Sequence, residues 1–337
     1  MNEREDSMKR FEPTLGRLVL AGLAAALLSG SAHAENGRIE LNHLCATLTG
    51  CLADDAAGYP ISITSAVGGS FVLTSELVVP DANTTAIEVE TSNVDIDLNG
   101  FRIVRAGCEN ATVSCAPASG TGDGIGVDDF ATRRSIRVKN GNVVGMGDYG
   151  LFLGPEADVS HVHTRWNRST GIAVNANSRV HRVRSVENDG AGISVLTGSV
   201  VSESAAVGNG GIGIFTATSC QVVRNVAWDN GEYGIRSTTG SVVRHNAVGE
   251  NDSLGGILAA ASTVSGNAVY ENVGSAGISA STGSLVESNA VSGTVGGVGL
   301  GLGDSGYRGN VLTTHPSGNV SGGVNLGANA CDGALCP

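Results

Sequence analysis

Beyond residue 85 the hydrophobic residues fall in short alternating runs, not in helical stripes, and the runs return at a fixed interval. Asn167, Asn188, Asn209, Asn230, Asn251 and Asn272 are each 21 residues apart, and valines repeat in step at 159, 180, 201, 222, 243 and 264. A glycine followed by an apolar residue keeps nearly the same step from Gly150-Leu151 through Gly171-Ile172 to Gly297-Val298. A second Asn column runs through Asn225, Asn246 and Asn267, then Asn289 and Asn310 after a one-residue insertion. Val and Ile columns, Gly corners and Asn columns together predict a parallel β-solenoid. Each coil lays its strands on those of the next at about 4.8 Å, so equivalent residues stack. Stacked Asn side chains can bond one another and the turn carbonyls, which satisfies polar groups at the corners. Leucine is too scarce for a leucine-rich repeat, and the 3.6-residue period of a helical repeat is missing.

The residues that carry the repeat, "NDGAGISV", "NGEYGIRS", "NDSLGGILA" and the opening strand "VDIDLNGFRIV" (94 to 104), resemble the right-handed parallel β-helix proteins of the pectate-lyase-like and NosD-like superfamily. The flanks are similar to the ends of exported bacterial β-helix proteins without a settled activity. The expected organisation is a signal peptide over 1–34, a disulfide-pinned N-terminal cap over 35–84, an all-β right-handed parallel β-helix over 85–326 and a C-terminal disulfide tail over 327–337. Such a scaffold hosts many chemistries, so the resemblance implies a fold and leaves the function to the site.

Lys9, Arg10 and Arg17 precede the apolar run "LVLAGLAAALL", which ends at the small residues "SAHA", the pattern of a secretory signal cut after Ala34. The run is too short for a membrane span, so a secreted or periplasmic protein is expected. Removing it takes away four cations and four acids and leaves the net charge at -12. That charge opposes general nucleic-acid binding, which needs a basic footprint. The chain has 50 glycines, about twice the ordinary share of roughly 7%, yet it is 41% hydrophobic, which favours a repeat fold with many corners over disorder. Six of the seven cysteines form close pairs, Cys45 and Cys51, Cys108 and Cys115, Cys331 and Cys336, which read as local disulfides near the ends of the fold. The seventh, Cys220, occupies a column that otherwise reads Ser178, Ser199, Ser241 and Ser262, so an inert structural thiol is expected.

Against the acidic background, "HVHTRWNRSTGIAVNANSRVHRVR" (161 to 184) carries three histidines, five arginines and no acid. In "RVK" (137 to 139), "HVH" (161 to 163) and "RVR" (182 to 184) a valine is flanked by basic residues, so alternation points Val138, Val162 and Val183 inward and their neighbours outward. The period stacks His161 on Arg182 and His163 on Arg184. With Arg137 and Lys139 placed one coil earlier, across a lengthened coil, the expectation is a two-by-three basic grid with Arg165 alongside and Trp166 at its edge. Such a grid could dock an extended polyanion, above all an acidic polysaccharide, because Arg forks bind carboxylates bidentately. The same groups could act on a uronate, with His161, His163, Arg182 and Arg184 as candidate bases or carboxylate-neutralising groups and Tyr149 nearby. The bland alternative is a solvated surface paired with acids.

Weaker signals bear on the reaction class. Asp128-Asp129 could support acid/base hydrolysis, but an Asp-rich turn explains the pair and the other polygalacturonase motifs are missing, so a lyase or epimerase ranks above a glycoside hydrolase. Glu187, Asp229, Glu250 and Glu271 each precede a ladder Asn, and the last three could bind Ca2+, although a solvated edge explains them better. No cofactor is expected otherwise. The glycines of "GGVGLGLGDSG" are corner material, because no strand-then-helix context surrounds them. The expected function is therefore an exported binder of an acidic polysaccharide or similar polyanion. The alternatives are a polysaccharide lyase or epimerase using the same face, and a structural or adhesive surface protein.

Overall fold

A computed structural model describes residues 34–35, 37–64, 69–110 and 115–336; the expected signal segment, apart from Ala34, lies outside these. The chain winds into a parallel β-helix of about 12 turns with about 21 residues per coil. A representative coil has three straight pieces, Ile193–Val195, Val200–Ser202 and Ala205–Val207. The first piece of each coil joins a 12-stranded sheet, and the second and third belong to a 25-stranded sheet that bends between them. These are called here the first, second and third faces. Register runs coil to coil without slipping: Ile172, Ile193, Ile214 and Ile235 pair in succession on the first face, and Val180, Val201, Val222 and Val243 on the second. All eight side chains are fully buried, so alternation within each three-residue strand places two residues or one in the core and the rest outside.

Each corner is built from two consecutive residues. The first adopts a left-handed backbone, as at Arg182 (φ 53°), Glu203 (52°), Arg224 (58°) and His245 (58°) between the second and third faces, and at Glu187, Asp229, Glu250 and Glu271 after the third. Placing a non-glycine residue there costs about 1–2 kcal/mol. The residue that follows turns inward, and it is Asn or Ser in most coils. Asn230 shows what it returns: its Oδ1 accepts the Asn209 N–H (3.1 Å) and Nδ2 (2.9 Å), and its own Nδ2 donates to Asn251 Oδ1 (2.8 Å) and to the carbonyls of Ala206 and Trp228. Three such ladders run down the solenoid, Asn167 to Asn272, Asn225 to Asn329 and Ser178 to Ser305, and every member is buried. Cys220 substitutes in the serine ladder: its N–H donates to Ser241 Oγ and its thiol to the Leu196 carbonyl, and burial pushes that thiol up. It is the structural thiol that its column predicts.

The ends show how the segment before residue 85 joins the coils. Residues 35–84 do not merely precede the coils. Arg38–Leu41 pairs in parallel with Ser70–Leu73, and Ile61–Ile63 with Ile87–Val89, so the winding begins within this segment. The covering element is the short helix His43–Leu48, capped by Asn42 and pinned by the Cys45–Cys51 disulfide. At the other end Ala330–Cys331 continues the third face and folds back on Ala334–Leu335 as an antiparallel hairpin held by Cys331–Cys336. No helix among the described residues is long and apolar enough to cross a membrane.

The ladder yields a stability prediction. Asn230→Ala leaves the Asn209 backbone N–H and one of its Nδ2 hydrogens without partners, and at about 1–3 kcal/mol for each unsatisfied buried group the expected loss is roughly 2–4 kcal/mol. Chemical unfolding followed by circular dichroism should show it, whereas replacing the exposed corner residue Asp229 by Asn should change stability by less than about 0.5 kcal/mol.

Candidate functional site

The basic block folds on the second and third faces and the corner between them. His163 pairs with Arg184 on the third face, as the repeat predicts. His161 and Arg182 are equivalent corner residues one coil apart, both left-handed (φ 54° and 53°) and exposed. Val138, Val162 and Val183 are buried. The third row of the expected grid is elsewhere, however. Strand Ile136–Val144 crosses the bend without interruption, so the 21-residue step holds and counting back from His161 and His163 reaches Asn140 and Asn142. Arg137 instead stacks on Asp158 and Arg179, and Lys139 on Ser160 and His181, all on the second face.

Most of the block is neutralised in place. Arg137 reaches Asp95 (3.2 Å) and Asp158 (3.5 Å), and Lys139 reaches Asp95 (3.0 Å). Arg165 pairs with Glu187 (2.7 Å), Arg168 with Asp189 (2.9 Å) and Arg182 with Glu203 (2.9 Å). Asp128, half of the Asp pair, takes a bidentate contact from Arg133, and Asp129 accepts the Ala131 N–H and Thr132 hydroxyl, so these two build a turn. Trp166 is not an exposed edge residue: it is 5% exposed, packed with Val104 and the Cys108–Cys115 pair, with the Arg165 guanidinium 3.8 Å over its ring and its indole N–H donated to Glu187. Within 161–184, Arg179 and Arg184 form no ion pair with any described residue, and both are exposed.

What remains is a site centred on His163. A cavity of ≈ 200 Å³ is lined by His163, Arg102, Asn142, Arg165, Trp166 and Cys108, and Arg184 stands one strand away. The Cys108–Cys115 disulfide, expected near an end of the fold, walls this cavity instead. His163 Nε2 is buried and hydrogen-bonded to nothing among the described residues. Burial, then the charges of Arg184 and Arg165, hold its imidazole below the ordinary histidine range, so the ring is neutral near pH 7. Burial also lowers His181, whose ring meets His161 edge-on at 6.1 Å. A neutral imidazole beside an unpaired guanidinium can accept a proton next to an anion that the guanidinium holds.

A second chemical group escaped the sequence reading. Asp123, at the corner entering the first face, lies over Gly126, where an added Cβ would stand 2.7 Å from its Oδ2, and its Oδ1 accepts the Tyr149 N–H (2.9 Å). Its carboxyl is pushed up to about 7, chiefly by burial; the Tyr149 amide opposes this, and Asp148 and Glu88 add to it. Tyr149 and Phe130 both stack on Phe152 beside it (4.7 and 4.3 Å), which places Tyr149 in this cluster. Among the described residues no group of three or more His, Cys, Asp or Glu side chains is arranged to hold a metal ion, Asp229, Glu250 and Glu271 included.

Two titrations test these environments. The folded state binds the Asp123 proton more tightly than an unfolded chain with its Asp near 3.8, so the stabilisation is full below about pH 4 and lost as pH rises through about 7. Asp123→Asn should therefore flatten the fall in unfolding midpoint between about pH 4 and about pH 7. By NMR, His163 should titrate below the ordinary 6.5, and Arg184→Ala should move it upward.

No family model matches the chain, and no curated protein matches it in sequence. Solved structures match it in fold. A periplasmic alginate epimerase superposes with a TM-score of 0.54 at 13% identity, the match covering 80% of this chain and 73% of that one. The tailspike protein of E. coli bacteriophage HK620, solved in complex with a pentasaccharide, gives 0.54 at 11% identity, covering 79% and 60%. The Dettilon tailspike protein gives 0.51 at 15%, covering 80% and 59%, so this chain spans about three fifths of either tailspike. At these identities the likeness establishes the parallel β-helix fold.

Proposed function

We propose that this protein is exported to the periplasm or the cell exterior and binds an acidic polysaccharide on its third face, with Arg184 and the His163 cavity as the anion-binding centre. The observation that carries the reading is the contrast within the basic block. Arg137, Lys139, Arg165 and Arg182 already have carboxylate partners, while Arg184 projects unpaired beside a neutral, unpartnered imidazole. An unpaired guanidinium on an open sheet offers two parallel N–H donors to a carboxylate. The three disulfides fit an oxidising compartment. Its fold relatives include an alginate epimerase and a tailspike bound to a pentasaccharide, which supports a glycan ligand.

A second reading rests on His163 itself. With a uronate carboxylate held by Arg184, the neutral imidazole can take the proton from C5; a proton delivered from solvent to the opposite face gives epimerisation, and departure of the C4 oxygen substituent, which takes up a solvent proton, gives elimination. His161 and Arg182 flank this centre at the corner and would contact the neighbouring sugar.

Retention on an immobilised uronate-containing polysaccharide at low salt tests the binding reading. Arg184→Ala should weaken it about tenfold or more, and Arg137→Ala, whose charge is already matched, should leave it within about twofold. Equal losses in the two variants would point to a diffuse electrostatic effect and sink the assignment. Incubation in deuterated water separates the reaction classes: label at C5 marks epimerisation, an ultraviolet-absorbing unsaturated product marks elimination, and His163→Ala should abolish either. Binding with neither signal leaves a binding protein.

A further inference from the structure

The third face exposes two columns of side chains, and both change character along the solenoid. In the first, Asn142, His163 and Arg184 give way to Ala205, Val226, Ala247 and Ala268, which are outward and water-facing, Val226 being 40% exposed. In the second, Arg165 and Val186 give way to Val207, Trp228, Gly249 and Tyr270. Trp228 lies across Gly249, where an added Cβ would stand 2.2 to 2.7 Å from its benzo ring, so only glycine leaves room for the indole. Tyr270 continues this surface with its ring 18° from the indole plane and 6.4 Å away, is 43% exposed, and is anchored by its hydroxyl donated to Glu271. The result is a flat aromatic floor about 10 to 20 Å, two to four coils, beyond Arg184 on the same strip.

Along the edge next to Trp228 and Tyr270 the charge has the opposite sign to the charge at the His163 end, while Arg224 and His245 hold the corner on the other side of the strip. Asp229, Glu250 and Glu271 occupy successive corners along the aromatic column at about 4.8 Å spacing, and none is in an ion pair among the described residues. A homopolymer of uronates lying along the strip would place carboxylates against this row. A polymer with an acidic sugar at Arg184 and uncharged sugars further on would place pyranose C–H faces on Trp228 and Tyr270 and hydroxyls toward the carboxylates, which are good acceptors for them.

We propose that the glycan bound at Arg184 is an acidic heteropolysaccharide, in which uncharged sugars separate the uronates, and that Trp228 and Tyr270 form the subsite for the uncharged segment. The inference rests on the anion-binding reading above and goes beyond it in naming the polymer class and its direction, along the solenoid axis. The acidic row makes the strip selective: it disfavours the densely charged competitor while the aromatic floor attracts the sparsely charged one.

Calorimetry with two probes of equal length decides it: an oligosaccharide carrying one glucuronate in every four sugars, and a polyuronate oligomer. The full chain should prefer the first by about tenfold. Trp228→Ala and Tyr270→Ala should each remove most of that preference without weakening the polyuronate, and Asp229→Asn/Glu250→Gln/Glu271→Gln should strengthen the polyuronate alone. Circular dichroism confirms folding, and loss of the binding-induced fluorescence change in Trp228→Phe locates the contact without deleting the ring. If Arg184→Ala abolishes binding while the aromatic variants keep the preference, the subsite falls and the anion-binding reading stands. If neither probe binds the full chain, both fall. If sedimentation shows a dimer that Trp228→Ala dissociates, the floor is a self-association surface and the subsite assignment is overturned.

Discussion

The structure depends on a two-residue corner: a left-handed residue turns the chain, and the next residue's side chain receives the backbone N–H of its equivalent one coil away. The strained residue would be a liability alone. It is offset because the inward Asn or Ser satisfies polar groups that no water can reach, and because each coil repeats the arrangement for its neighbour. This makes coil length rigid at the ladders and permissive between them. Where the Ser262-to-Ser284 step lengthens to 22 residues, the additional residue falls in the turn containing Thr282 and Gly283, both left-handed, and the ladder bond from Ser262 N–H to Ser284 Oγ survives at 3.1 Å.

The same stacking governs the charges. Side chains in one column are a strand spacing apart, so a column of like charges is disfavoured and a column of alternating charge is self-neutralising. The corner between the second and third faces shows the second case, with Arg182 bonded to Glu203 one coil on; the next corner along shows it in Glu187, which collects both the Arg165 guanidinium and the Trp166 indole. Neutralised columns are surface. Among the charges left unmatched, Arg184 stands on the third face, and Asp229, Glu250 and Glu271 line its edge further along, where stacking alone does not account for them.

Columns were therefore legible from sequence, and environments were not. Alternation places Val138, Val162 and Val183 in the core, and counting by 21 places His163 against Arg184 and Cys220 in a serine ladder. Local resemblance misleads where it departs from the period: "RVK" resembles "HVH", but Asn140 and Asn142 hold the equivalent positions. Ion pairs were illegible for a different reason. Asp95 lies 42 residues before Arg137, two coils away by the period, yet their strands are adjacent because the coil between them is twice the usual length. Asp123 was invisible because its titration depends on how deeply its corner is covered and on an amide from Tyr149, neither of which is a property of the residue or its spacing.

A solenoid has one further obligation, since its first and last coils expose strand edges that could recruit another chain. Here one end carries the helix His43–Leu48 and the other the hairpin Ala330–Leu335, and each is closed by a disulfide between cysteines six and five residues apart. Loops this short contribute less denatured-state entropy than long ones, so the bonds matter more for holding a small covering element in place than for global stability. The third disulfide follows the same logic at a different location. Cys108 and Cys115 are seven residues apart in the irregular coil, both pack against Trp166, and Cys108 lines the His163 cavity. Local cross-links thus appear among the described residues at both ends of the solenoid and in the long coil beside the candidate site.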